Sequence, residues 1–236
     1  MKNKLFNAFV AGFFLISVLA SCNKTEVDTT VYVDSYINSI IDNGVTKYTV
    51  MHAAYSFVQL SSVGVKGSGG TSVPLANFSD QGYSFYLDDA AATYTTAVPA
   101  ADSFTYDVVY LDGGTTVKTN AINGKSLIPA QQLTAVKTAS DIVLSWKPVA
   151  NSEAYKVRIF SEDPVTLKSI LIYESDYLVP KDTSTDLSIP FSLVSLSPYL
   201  SNNLTFDVSA FIFEQGQDTF QAVSVAKVTG FYGVGV

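Results

Sequence analysis

Hydrophobic and polar residues alternate in short runs along most of this chain, and Gly, Pro, Asn and Asp separate the runs. A period of two places every second side chain on the same face of a strand. Val31 to Ile41 reads as one strand and Val45 to Phe57 as its partner. Between them, Asp42-Asn43-Gly44 supplies residues that tolerate the positive φ angles of a two-residue hairpin turn. Further strands are predicted at Ser62 to Lys66, Gly82 to Leu87, Phe104 to Tyr110 and Thr115 to Ala121, with turns at Gly67-Ser68-Gly69-Gly70 and Asp112-Gly113-Gly114. Ser72 to Phe78 is broken by Pro74, which suits an edge strand because Pro cannot donate to a ladder. The second half carries runs at Ile142 to Val149, Ala154 to Ile159, Leu204 to Ala210 and Phe220 to Val228. No amphipathic helix longer than about ten residues is legible. Many short strands between turn signals predict an all-β chain of two consecutive antiparallel β-sandwiches.

The N-terminus departs from this pattern. Met1-Lys2-Asn3-Lys4 is basic, and Leu5 to Leu19 is apolar except for Asn7 and small residues. The stretch is shorter than the roughly 20 apolar residues a membrane span needs. A basic head, a short apolar middle and small residues at the end describe a secretory signal. Leu19-Ala20-Ser21-Cys22 resembles the lipobox of bacterial lipoproteins. That resemblance implies cleavage before Cys22 and acylation of its sulfur, with the lipid bilayer as a partner. Cys22 is the only cysteine, so no disulfide competes for it. The Ser21-Cys22-Asn23-Lys24 junction resembles those of Bacteroidota surface lipoproteins, which implies the cell envelope, at the outer membrane or cell surface. Asp28-Thr29-Thr30 is similar to the short O-glycosylation sequon of that group; a plain solvated tether is the competing reading.

These readings divide the chain into a signal peptide (1–21), a tether (22–30), a first sandwich (31–127), a short linker (128–132) and a second sandwich (133–236). The first sandwich resembles the Ig-like modules of Bacteroidota lipoproteins by the order of its strands and turns. It lacks the inter-sheet disulfide and buried Trp of antibody domains. In the second, Trp146, Pro148 and Tyr155 resemble the second and third strands of fibronectin type III domains, and Leu204 to Ala210 resembles the sixth. Leu204 stands where that family usually carries its corner tyrosine, and Pro198-Tyr199 is the candidate substitute.

Composition narrows the chemistry. The chain carries 21 acidic and 14 basic residues, and Lys2 and Lys4 leave with the signal. Arg158 is the single arginine. An acidic chain with one Arg lacks the footprint for nucleic acid. His52 is the only histidine, which removes metal sites built on histidine pairs. No serine lies in a nucleophile-elbow context, and no glutamate lies in a recognisable acid-base motif. Gly67-Ser68-Gly69-Gly70 lacks the Lys-Ser/Thr and helix of a phosphate-binding loop. Asp88-Asp89 and Asp112 are candidate calcium ligands, though their spacing matches no EF-hand and solvated turns account for them. No cofactor is expected, and the chain reads as a non-enzyme.

The dense aromatics of the first sandwich remain: Tyr83, Phe85 and Tyr86, with Tyr94, Tyr106 and Tyr110. Alternation puts Tyr83 with Phe85 on one face, Tyr86 on the other, and Tyr106 with Tyr110 on a shared face. Exposed tyrosines stack on sugar rings or anchor protein interfaces. Tyr83, Tyr86, Tyr106 and Tyr110 are therefore the candidate contacts for an extracellular glycan or protein, against the plainer reading of sandwich filling. The expected role is an anchored, non-catalytic binding or adhesion module. A structural subunit of an envelope assembly and a glycan-degrading enzyme are the alternatives.

Overall fold

The computed structural model describes residues 29–78, 81–87, 92–163, 165–179, 186–215 and 219–233. The chain divides into two units, Met1–Thr30 and Val31–Val236. The signal peptide, Leu19, Ala20, Ser21 and Cys22 lie outside the described residues.

The protein is an all-β sandwich fold. Strands β1 (Val31–Asp42) and β2 (Val45–Ser56) form a long hairpin, paired from Val31↔Ser56 to Asp42↔Val45. Its turn holds Asn43 at φ 51° and Gly44 at φ 78°, the left-handed pair that Asn-Gly allows. β3 (Leu60–Lys66), β7 (Asp102–Tyr110) and β8 (Thr115–Ile122) lie in a second sheet. The segment expected as one broken edge strand changes sheets instead. β4 (Val73–Pro74) pairs with β3, and β5 (Ala76–Asn77) pairs with β6 (Ser84–Tyr86) in the other sheet. Leu75 between them is only 6% exposed and belongs to the first core. Pro74 ends the first pairing, and burial of Leu75 fixes the crossing.

The second half builds its own core around Trp146, Tyr155 and Phe206. One side is a three-stranded sheet of β9 (Thr134–Lys137), β10 (Asp141–Trp146) and β13 (Leu187–Ser192). The other side holds β11 (Ala154–Glu162), β12 (Ser169–Glu174), β14 (Asn203–Phe213) and β15 (Phe220–Phe231). A single turn of helix, α1 (Leu193–Leu196), follows β13, and Ser192 caps it by accepting the Val194 N–H. Leu204 is fully buried in this core. Tyr199 lies in the 3-10 turn Ser197–Tyr199 and packs against the same core. Tyrosine hydroxyl bonds in this half are made by Tyr155, which accepts from the Val149 N–H at 2.6 Å, and by Tyr232, which donates to the Ala135 carbonyl.

The two halves share a sheet. β1 and β15 run parallel and pair from Ile37↔Ala222 to Ile40↔Val225. The result is one eight-stranded sheet in the order β12-β11-β14-β15-β1-β2-β6-β5. The stretch read as a linker is tied down at this junction. Ala130 and the preceding Leu127 are buried in the second core, Ser39 Oγ donates to the Leu127 carbonyl at 2.6 Å, and the Lys147 N–H donates to the Gln131 carbonyl. Ile128, Gln131 and Gln132 remain exposed, as expected for a solvated connector, with Ile128 at 58%.

Candidate ligand-binding face

Register assigns the side chains of the eight-stranded sheet to its two faces. Ser35 sits opposite His52 and Ile37 opposite Val50, and this set points into the first sandwich. Tyr32 sits opposite Tyr55 and Asp34 opposite Ala53, and this set points outward. Tyr55 is in turn opposite Ser84 on β6, and Ala53 is opposite Tyr86. Two outward rows therefore lie side by side: Tyr32, Tyr55, Ser84, then Asp34, Ala53, Tyr86. Tyr32 and Tyr55 stack with centroids 4.8 Å apart and planes 10° from parallel. Phe57 meets Tyr32 edge-on, and Phe78 meets Tyr86 edge-on at 5.7 Å. The small residues Ala53 and Ser84 separate the two aromatic groups. Tyr32, Tyr55, Tyr83 and Tyr86 are between 37% and 48% exposed, and Phe57 and Phe78 are at least 60% exposed. The result is an exposed surface rich in aromatic rings.

The four tyrosines named from sequence divide. Tyr86 lies on this surface, and Tyr83, just before its strand, is 41% exposed. Phe85 is buried at 4%, whereas Tyr83 is exposed. Tyr106 and Tyr110 do share a face with Val108, but that face is the core. Tyr106 is fully buried, and Tyr110 is half-buried against the same cluster. Tyr106 is accordingly unavailable to a surface ligand. Tyr32 and Tyr55 were missed because long paired strands read as sandwich filling; their place opposite one another was the signal.

Asp34 stands at the margin of the aromatic surface. One carboxylate oxygen accepts the Phe220 N–H at 3.0 Å, and the other is buried with no hydrogen-bond partner among the described residues. Burial, with Glu214 nearby, pushes Asp34 up to about 6 despite the hydrogen bond from Phe220. Beyond it, Tyr36, Phe220, Phe211, Phe213 and Tyr177 form a chain of ring contacts across β1, β15 and β14.

Behind the same strands lies a buried polar cluster. Ser35 Oγ is 2.6 Å from the Tyr106 hydroxyl and 3.0 Å from His52 Nδ1. Tyr106 gives its one proton to the Asp34 carbonyl at 2.5 Å. Its oxygen therefore accepts from Ser35, and Ser35 accepts from His52 Nδ1–H. A serine nucleophile needs the opposite direction, with histidine taking the serine proton. Ser35 is also wholly buried. Burial lowers His52 to about 4 and raises Tyr106. The chain of donors ends on a backbone carbonyl and ties β7 to the β1–β2 hairpin.

Two clefts lie elsewhere. One, of about 440 Å³, opens where β1 and β15 diverge and is lined by Ile40, Gln131, Leu133 and Lys227 among others. The other, of about 170 Å³, is lined by Trp146, Tyr155 and Leu178 with neighbouring residues. Neither is lined by the carboxylate pair that sugar-cleaving enzymes place across a scissile bond. Among the described residues no group of three or more His, Cys, Asp or Glu is arranged to hold a metal ion.

The fold and its exposed face define an all-β protein of sandwiched, mainly antiparallel sheets with an aromatic outer surface. No family model matches the chain, and no curated protein matches its sequence. Among solved structures it is similar to a candidate carbohydrate binding protein from Bacteroides uniformis, with a TM-score of 0.39 and 12% identity over 84% of this chain and 98% of that one. It is also similar to a structure from a 1.5-MDa bacterial ice-binding adhesin, with a TM-score of 0.24 and 13% identity over 87% of this chain and 65% of that one.

Proposed function

We propose that this protein is a lipid-anchored, non-catalytic binding module of the bacterial envelope, which holds a glycan or protein against the aromatic outer face of its first sandwich. One observation carries the reading: Tyr32, Tyr55, Tyr83 and Tyr86 are all substantially exposed on or beside adjacent strands. Large aromatics left in water lose the benefit of burial, and each has an apolar face and a polar tip suited to a sugar ring. Single exposed apolar residues need no explanation, whereas a contiguous patch does. The anchor rests on the lipobox-like Leu19-Ala20-Ser21-Cys22. The order of β9 to β15, three strands facing four, supports a fibronectin type III-like second sandwich. The Ig-like reading of the first draws support from its two facing sheets alone.

The test uses the full chain expressed in a Gram-negative host, with acyl labelling and a glycan array read together. Wild type should be acylated and should bind a subset of array glycans. Cys22→Ala should abolish labelling. Tyr55→Ala combined with Tyr86→Ala should lower glycan binding at least tenfold while leaving the unfolding midpoint nearly unchanged. Acylation of Cys22→Ala overturns the anchor. Unchanged glycan binding in the double variant removes the aromatic face as the site.

A further inference from the structure

The two halves share a sheet along only part of its length. β1 runs beside β15 from Ile37 to Ile40, opposite Ala222 to Val225. β15 then continues to Phe231 with β14 as its neighbour in the sheet. Past Val225, alternate backbone N–H and C=O groups of β15 therefore turn away from β14 with no strand to receive them. The larger cleft opens at this point, lined by Ala226 and Lys227 and by the segment 130–133, and its volume is about 440 Å³. Small-molecule sites span roughly 300–1,000 Å³.

The segment across the cleft is held in an uncommon shape. Gln132 has φ 53°, a conformation that costs a residue with a Cβ roughly 1 kcal/mol or more. The Gln131 carbonyl accepts the Lys147 N–H at 3.0 Å, and Ala130 is buried in the second core. Both glutamines are exposed and line the cleft. Gln131 Nε2 donates to the Pro129 carbonyl, and the Gln132 amide makes no hydrogen bond among the described residues. A side-chain amide offers two donors and an accepting oxygen, which complements neighbouring sugar hydroxyls. Ile40, Ile41 and Leu133 supply apolar wall for the C–H face of a ring.

Charge narrows the ligand further. The side chain of Lys227 is 62% exposed, and its carboxylate partner is the buried Asp207, 4.0 Å away. Asp207 also holds Arg158 at 3.4 Å and accepts the Ser209 hydroxyl at 2.9 Å. One carboxylate thus faces two cations. Nearby charges are already matched: Lys156 by Glu174, and Asp42, next to Ile41, by Lys47. One positive charge is left over here, in a chain whose net charge is −7. Among the described residues no carboxylate lines the cleft.

We propose that this cleft is a second ligand site, which takes an acidic sugar residue, a hexuronic acid, with its carboxylate on Lys227 and its hydroxyls on the two glutamine amides and the open backbone of β15. The site is separate from the aromatic face. Ile40 lies near the turn of the β1–β2 hairpin and Tyr32 near its other end, about 26 Å along the strand.

Isothermal titration calorimetry of the purified full chain tests this with D-glucuronate and D-galacturonate. D-glucose and D-galactose serve as neutral counterparts, and acetate as the bare anion. At least one uronate should bind saturably, and its neutral counterpart and acetate should bind about fivefold more weakly. Lys227→Met should bring the uronate down to the level of the neutral sugar, with neutral-sugar binding and the unfolding midpoint close to wild type. Gln132→Gly removes the strain together with the amide, so it should keep or raise stability while weakening the uronate and the neutral sugar alike. No saturable uronate binding overturns the inference, as does acetate or a neutral sugar that binds as tightly. A preference that survives Lys227→Met, or unchanged binding in Gln132→Gly, overturns it too. Uronate binding that is lost in Tyr55→Ala with Tyr86→Ala and kept in Lys227→Met belongs to the aromatic face, and it overturns this site without touching the proposal for that face.

Discussion

Asp34 and His52 sit on adjacent strands but on opposite faces of the sheet, and burial moves their titrations in opposite senses. His52 falls to about 4 in the folded protein from the ordinary 6.5. Between those values the unfolded chain binds more protons at this site, so His52 costs stability as pH falls from 6.5 towards 4. Asp34 rises to about 6 from 3.8. There the folded protein binds more protons, so Asp34 adds stability as pH falls from 6 towards 3.8. The two slopes oppose one another across most of the same window. Asp34→Asn should therefore steepen the loss of stability on acidification, and His52→Gln should flatten or reverse it. Urea midpoints measured from pH 4 to 7 check both; parallel profiles for wild type and the two variants would contradict the assignment. His52 was visible in the sequence as a lone histidine in a strand. Its partners Ser35 and Tyr106 were not, because they lie 17 and 54 positions away.

At the scale of elements, the β1–β2 hairpin was legible nearly to the residue. Asn43-Gly44 is a local device, and both residues take up the positive φ that the turn needs. A Cβ on Gly44 would meet nothing within 4 Å, so the cost of Gly44→Ala is conformational alone. It should destabilise the protein by about 1–2 kcal/mol, read as a lowered urea midpoint with unchanged slope. A neutral result would mean that the turn tolerates a different backbone. Strands whose cues are not local were harder to see. β4 and β5 are two residues each and belong to different sheets, so one alternating run concealed a crossing. β12 and β13 were not read as strands. The pattern of β12 shows little alternation because most of its residues are exposed, and Pro190 interrupts that of β13, where it is tolerated because the strand is at an edge.

At the scale of the whole molecule, the parallel pairing of β1 with β15 joins two cores under one sheet. Two sandwiches separated by a free linker would unfold independently. With Ile37 to Ile40 bonded to Ala222 to Val225, and Leu127 and Ala130 buried at the junction, unfolding should be one cooperative transition. Trp146 lies in the second core and is the only tryptophan, so its fluorescence reports that half alone. Its urea curve should superimpose on far-ultraviolet circular dichroism of the whole chain; two separated transitions would show that the shared sheet does not couple the halves. Local chemistry in the sequence determined the all-β class and the first hairpin, because alternation and turn residues act over a few neighbours. Only the tertiary structure decided that β1 meets β15, that Tyr106 turns inward while Tyr32 and Tyr55 stack outward, and that β4 and β5 belong to different sheets. The physical reason is common to all three: strand pairing is made by backbone groups that every residue carries, so which strands meet, and which face they bury, is a property of the assembled sheet.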